Sequence, residues 1–322
     1  MSADQGAIAA ELSSFCLFQE PWWLNLTTAG NWDEAIVTNS EGVIARLPYR
    51  TVRRYGATVV TQPRLTPYAG PWFRPSSAKA SNQFSERRRL TMELLSRLPR
   101  FDLFSQNLWP GISDCLPFHW AGYSQSTYYT NWYRDVANPE LLWTSFLAET
   151  RAEIRKAQKR VEVIVSNDVE RLCALHELTF TQQGQKAPRE RAFLRRVVEG
   201  AITQGHARIV FAVDEAGNTH AVNLTVFDKR SAHYLIGGSD ARYRNSGAAS
   251  LLVWDAIQFA ARICPLFDFE GSMVEGISRF FRGFNPESVP ISHVYRTSRR
   301  AAIAAALYNL GATLIGRPAL RL

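Results

Sequence analysis

The chain has 322 residues, 46% hydrophobic and 12% aromatic, enough for ordinary globular cores arranged by length as two domains or one large one. Its net charge of +8 suits an anionic partner: a nucleotide, a phosphorylated donor, RNA or a membrane surface. The first residues do not read as a basic-then-apolar leader and no apolar run reaches about 18 residues, so neither a signal peptide nor a transmembrane span is expected. The four cysteines (Cys16, Cys115, Cys173, Cys264) are scattered without a CxxC pair, so a cytoplasmic, reduced setting without a membrane span is expected.

In chain order, Asp33 to Asn39 and Val43 to Tyr49 read as a hairpin around Glu41-Gly42. Thr58 to Thr61 reads as a strand, and Pro67 to Phe73 as a Gly/Pro loop. Phe84 to Leu98 has helical spacing and is stopped by Pro99, before Phe101-Asp-Leu-Phe104. Thr127 to Tyr133 precedes Pro139 and one long expected helix from Glu140 to about Arg160. On it Arg151, Arg155 and Lys159 share a face, open to reading as a solvated surface or as a seat for phosphate or RNA.

The second half is clearer. His206 to Val213 and Thr219 to Phe227 form a hairpin around Asp214 to Asn218. Ala232 to Ile236 is a third strand, ending at Gly237-Gly238-Ser239. After a polar loop, Ala248, Leu252, Ala256, Phe259 and Ile263 recur as the inner face of a helix that Pro265 stops. Leu266 to Glu270 is the next strand. Pro99-Arg-Phe-Asp-Leu-Phe and Pro265-Leu-Phe-Asp-Phe-Glu share a helix, proline, Phe-Asp order, which points to a duplicated α/β unit.

Few patterns carry chemistry. The six histidines lack metal-ligand spacing, no GxSxG elbow or P-loop occurs, and no metal site is predicted. Arg242, Tyr243, Arg244, Asn245, Ser246, Gly247 and Ala248 open a helix, where unpaired backbone N–H groups favour a phosphate. This stretch is the expected donor-binding segment. Asp268 and Glu270 end a strand, and Arg282 follows on the next helix with Phe281. The two acids read either as a proton relay or as caps of the Gly271-Ser272 turn. Arg282 reads either as an oxyanion or phosphate partner or as a surface cation paired with Glu275 or Glu287.

These segments carry a resemblance. Arg242 to Ala248 resembles the [RQ]xxGx[GA] helix start of GNAT (Gcn5-related N-acetyltransferase) enzymes, with Asn245 where that pattern has its first glycine. Arg151-Ala-Glu-Ile-Arg-Lys-Ala157, Thr179-Phe-Thr-Gln-Gln-Gly184 and Gly276-Ile-Ser-Arg-Phe-Phe-Arg-Gly-Phe284 resemble, in order, segments of Fem-type (FemAB-like) transferases. The resemblance spans roughly residues 20–300 and implies an α/β (α+β) fold of two tandem GNAT-like domains, 1–140 and 141–322. Each would be a mixed, mostly antiparallel sheet flanked by helices.

It implies acyl transfer to an amine from acyl-CoA or aminoacyl-tRNA as co-substrate, with no tightly bound cofactor. Glu270, Arg282 and Asp268 would be catalytic. Gln182, Gln183, Tyr234 and Ser272 would lie on the substrate side, and Tyr234, Tyr243 and Tyr295 are candidate proton donors to a leaving thiol. An alkylammonium acceptor is about 3 pH units from neutral at pH 7, so freeing its lone pair costs about 4 kcal/mol. A non-catalytic module on the same fold is the remaining reading. At the C-terminus, Ala301 to Leu310 is a strong helix former with basic flanks (Arg299, Arg300, Arg317, Arg321). It is expected to pack on its own domain or a second subunit, or to touch anionic lipid at the inner face of the membrane.

Overall fold

A computed structural model of the chain describes residues 14–303 except 55, 183, 185–189 and 272. After a 3-10 turn (Leu17–Gln19) come helix α1 (Pro21–Thr28), strands β1 (Asp33–Asn39), β2 (Gly42–Arg54), β3 (Ala57–Thr61) and β4 (Trp72–Phe73), and helix α2 (Ala80–Ser96). Strand β5 (Leu103–Asn107), helix α3 (Leu116–Trp120), strand β6 (Ser124–Tyr133), and helices α4 (Pro139–Ser145) and α5 (Ala148–Gln158) follow. Next come β7 (Glu162–Val165), α6 (Val169–Thr181), α7 (Arg191–Thr203), β8 (Ala207–Val213), β9 (Thr219–Phe227) and β10 (Ser231–Ser239). The series closes with α8 (Ala248–Ala260), β11 (Leu266–Asp268), α9 (Glu275–Arg282) and β12 (Glu287–Thr297). No helix among the described residues is long and apolar enough to cross a membrane.

The chain packs as two compact units, Met1–Tyr128 with Pro290–Leu322, and Tyr129–Val289. The sequence reading places its single cut at residue 140. The end of β12 packs with unit 1, because it pairs antiparallel with β5 from His293↔Asn107 to Thr297↔Leu103.

Both units repeat one topology. In unit 1, β1, β2 and β3 form an antiparallel meander, and β3 then pairs in parallel with β5 across α2. In unit 2, β8, β9 and β10 form the meander, and β10 pairs in parallel with β11 across α8. A crossover helix is what a parallel pair requires. The sheets are therefore mixed, mostly antiparallel and flanked by helices.

Unit 1 buries Leu47, Val60, Leu94, Phe104, Phe118 and Val294. Unit 2 centres on aromatic contacts among Phe146, Trp254, Phe267, Phe269, Phe281 and Phe284. Helix α8 is buried beyond the expected stripe, since Leu251, Val253, Trp254 and Ile257 are also inside. The sheet covers one side of it and α5 packs on another.

The long helix expected over Glu140 to Arg160 is broken. Phe146 (ψ 150°) and Leu147 (ψ 146°) are extended, separating α4 from α5. The break lets Phe146 drop between Trp143, Trp254 and Phe284, and Leu147 N donates to Gly283 O at 2.9 Å. Arg151 donates to the carbonyls of Thr144 (3.1 Å) and Phe146 at this break, and Arg155 lies over Trp143. Two of the three cations read as a phosphate face thus have local structural partners. Of the C-terminal run, residues 299–303 are helical and the rest lies outside the described residues.

Candidate active site

The site forms where two parallel strands part. Strands β10 and β11 pair only over Ser231↔Leu266, Ala232↔Phe267 and His233↔Asp268. Strand β11 then ends, whereas β10 runs on to Ser239, its register against β9 shifting between Tyr234 and Ile236. Such a bulge re-aims side chains and bends the strand. The gap opens a cavity of about 580 Å³, walled by Tyr234, Gly237, Gly238, Glu270, Phe280 and Phe281 among others. Gly237 must be small, because a Cβ there would lie 2.4 Å from the Tyr234 hydroxyl oxygen.

The two acids meet, but not by strand alternation. Strand β11 ends at Asp268, Phe269 is fully buried, and Glu270 adopts φ 56°, a left-handed conformation. Such a conformation in a non-glycine residue costs about 1–3 kcal/mol and persists where surroundings impose it. Here Glu270 N donates to Asp268 Oδ1 at 2.8 Å, the Thr130 hydroxyl donates to the same oxygen, and Gly271 N donates to Thr130 Oγ1 at 3.0 Å. Gly271 itself lies against β6, since a Cβ on it would sit 2.4 Å from Tyr129 O. Asp268, fully buried, thus holds the turn that aims Glu270 at the cavity.

The sequence reading gave His233 no role. It lies on β10 opposite Asp268, is fully buried, and places Nδ1 2.9 Å from Glu270 Oε1 and 3.7 Å from Asp268 Oδ2. Its Nε2 is 2.8 Å from Ser231 Oγ. Burial alone would disfavour the imidazolium. The hydrogen bond and charge of Glu270, with the charges of Asp268 and Asp228, outweigh it and raise the pKa above the ordinary 6.5. The three side chains offer ligand atoms within 4.8 Å of one another, a set that could also surround a small cation.

A pH dependence follows. Above about 6.5 the unfolded His233 has lost its proton while the folded one keeps it, so the folded state binds more protons. This contribution is fully present below 6.5 and is lost as pH rises through the folded pKa. The parent minus His233→Asn stability difference, from denaturant melts, is therefore expected to shrink as pH rises from 6.5. A difference flat or growing over that range would contradict the assignment.

The expected donor segment takes another form. Ala241–Ser246 is a 3-10 turn, and Gly247, at φ 80°, caps the start of α8. A Cβ on Gly247 would lie 2.2 Å from Glu153 O, so the glycine serves close packing against α5. Ser246, Gly247 and Ala248 are buried, and Ala248 N donates to Ser246 Oγ at 3.2 Å. Arg242 pairs with Asp240 at 2.6 Å, holding that carboxyl down to about 2. Tyr243 stacks on His220 at 4.0 Å, while Arg244 and Asn245 are exposed. None of these seven residues lines the cavity; the next residue, Ala249, does.

Gln182 joins that turn, donating to Asp240 Oδ1 (3.1 Å) and accepting from Ala241 N (2.8 Å). Phe281 lines the cavity, whereas Arg282 is exposed and does not. The partners proposed for Arg282 are taken: Glu275 pairs with Arg279 and Glu287 with Arg134. Gln183 and Ser272 lie outside the described residues.

With the geometry in place, comparison with known proteins is informative. Residues 144–280 match the family model described as Acetyltransferase (GNAT) domain. No curated protein matches the sequence significantly. Among solved structures, FemX superposes with a TM-score of 0.65 at 13% identity, covering 91% of this chain and 96% of that one. L-PGS from Bacillus licheniformis gives 0.54 at 14%, covering 98% of both chains. A tandem GNAT protein from the clavulanic acid biosynthesis pathway gives 0.50 at 14%, covering 91% of this chain and 93% of that one. The stretch that matches the GNAT acetyltransferase domain therefore lies within unit 2. The chain has the fold of Fem-like tandem GNAT transferases.

Proposed function

We propose that the chain transfers an acyl group from an activated carboxyl donor to an amine, with bond formation in the unit 2 cavity beside Glu270. The observation that carries this reading is the Glu270 carboxyl on the cavity wall, backed by the buried His233 imidazole at 2.9 Å. An amine acceptor arrives as an ammonium and must lose a proton before it can attack. Glu270 accepts that proton, and His233 Nδ1, 2.9 Å from Oε1, orients the carboxylate. The freed lone pair attacks the acyl carbonyl carbon, so a C–N bond forms and the C–S or C–O bond to the carrier breaks. The carrier's sulfur or oxygen then takes a proton.

Tyr234 is the proton donor best placed for that step. It lines the cavity, and burial raises its hydroxyl pKa far above the usual range, which keeps it protonated. Tyr243 is occupied by its stack on His220, and Tyr295 belongs to unit 1, beside His293. Acyl-CoA-like thioesters are the first donor class. An aminoacyl ester on tRNA is a second reading, favoured by the packed helix start at Gly247, which leaves little room for a pyrophosphate there.

The deciding experiment supplies the purified chain with acyl-CoAs or aminoacyl-tRNAs over a panel of amines and follows N-acyl product by mass spectrometry. Product is expected from one donor class. No product and no release of free carrier with either class, from a protein shown to be folded, would defeat the reading.

A further inference from the structure

Unit 1 has a concave site of its own, about 500 Å³, whose walls include Arg100, Arg296 and Arg300. Arg100 precedes β5, Arg296 lies near the end of β12, and Arg300 belongs to the helical stretch 299–303. All three are exposed. Arg53, at the end of β2, acts together with Arg300 on Asp102, the acid in the wall of the hollow.

The scaffold beneath them is tightly held. Asp102 N donates to Thr58 O at 2.8 Å, and Thr58 N returns a bond to Asp102 Oδ2 at 2.9 Å. Ser298 N donates to Asp102 O at 2.7 Å and Ser298 Oγ to Asp102 Oδ1 at 3.1 Å. Both carboxylate oxygens thus accept from neutral donors. Arg296 is steadied by the rings of Phe101 (5.9 Å) and Tyr123 (5.5 Å).

Five other arginines of this unit are ion-paired. Arg46 pairs with Glu34, Arg74 with Glu41, Arg88 with Asp114, and Arg89 and Arg97 with Glu93. Among the described residues, none of Arg53, Arg100, Arg296 and Arg300 closes an ion pair. Like charges gathered in one hollow repel unless an anion joins them. A single carboxylate would answer only one of them. Two or more oxygens on phosphorus match several guanidinium forks. A nucleic-acid backbone would be tracked by an extended basic groove rather than one hollow.

We propose that this hollow binds a phosphoester or pyrophosphate group, carried by a soluble molecule or by a lipid headgroup. Arg300, whose sequence position suggested only a flank for lipid contact, is here part of a built anion site. The assignment is independent of the transfer reaction in unit 2.

Calorimetry on the full chain at low ionic strength tests it, with inorganic pyrophosphate and glycerol 3-phosphate as probes. The parent should bind pyrophosphate. Arg300→Gln, an exposed change that leaves the fold intact, should weaken binding about tenfold, the effect of losing one charge-assisted hydrogen bond. Arg296→Gln with Arg300→Gln should weaken it further. Arg89→Gln, which removes the same charge from an ion-paired helix position, should leave it unchanged. Co-sedimentation with phosphatidic acid vesicles distinguishes the sources. Pelleting that Arg300→Gln abolishes and pyrophosphate competes away assigns the ester to lipid, whereas pyrophosphate binding without pelleting assigns it to a soluble molecule. A parent that binds no pyrophosphate, or a double variant that binds as tightly as the parent, overturns the proposal.

Discussion

Glu270→Gln is expected to lower turnover about 10²–10⁴-fold, the range for loss of a positioned general base. The substitution keeps size and hydrogen-bonding reach but removes the charge that accepts the amine's proton. His233, no longer facing that carboxylate, loses the largest influence raising its pKa and sheds its proton more readily. The variant should therefore stay folded while turnover falls, and its remaining rate should respond differently to pH. An amine of low pKa, which arrives already neutral, should suffer less from the change than an alkylamine. Steady-state kinetics with both acceptors measures this. Equal losses for the two would reduce Glu270 to a structural role, and unchanged turnover would remove it from the mechanism.

Gly247→Ala is expected to cost about 3–5 kcal/mol of stability, from left-handed backbone strain together with a backbone collision. Gly247 has φ 80°, and its added methyl would stand 2.2 Å from Glu153 O. That oxygen cannot turn away as a flexible side chain could. Either α5 moves off α8 or the helix start unwinds, and both disturb a packed core. A fall in Tm of roughly 10 °C should accompany the change. Read from sequence, Gly247 belonged to a phosphate cradle at a helix start. A Tm within about 1 °C of the parent, with only donor binding lost, would restore that view.

Much of unit 2 was legible in advance. The apolar runs of β8 and β9, the glycine-marked end of β10 and the proline after α8 are local signals, so their strand and helix character could be read residue by residue. The break at Phe146 could not. Its cause is a pocket made by Trp254 and Phe284, more than a hundred residues downstream in the chain. The site divided in the same way. Asp268, Glu270 and Phe281 could be singled out as polar or aromatic groups flanking the Gly271-Ser272 break, and Tyr234 as one of three candidate proton donors. Arg282 could not be distinguished from a solvated cation, because helix spacing does not tell which residue faces a cavity and which faces water.

His233 shows why the remainder was out of reach. In sequence it is one histidine in an apolar strand, with no ligand spacing around it. Its partners Asp268 and Glu270 become neighbours only once β10 and β11 pair in parallel at His233↔Asp268 and the chain turns at the left-handed Glu270. Sequence by itself determined the order of strands and helices, the repeated Phe-Asp signature and the residue types available for chemistry, because periodicity, turn residues and helix stops act over a few neighbours. Tertiary structure alone decided which of them meet. Strand register, a bulge and one strained turn bring together groups distant in the chain, and their shared burial makes the imidazolium and carboxylates act on one another.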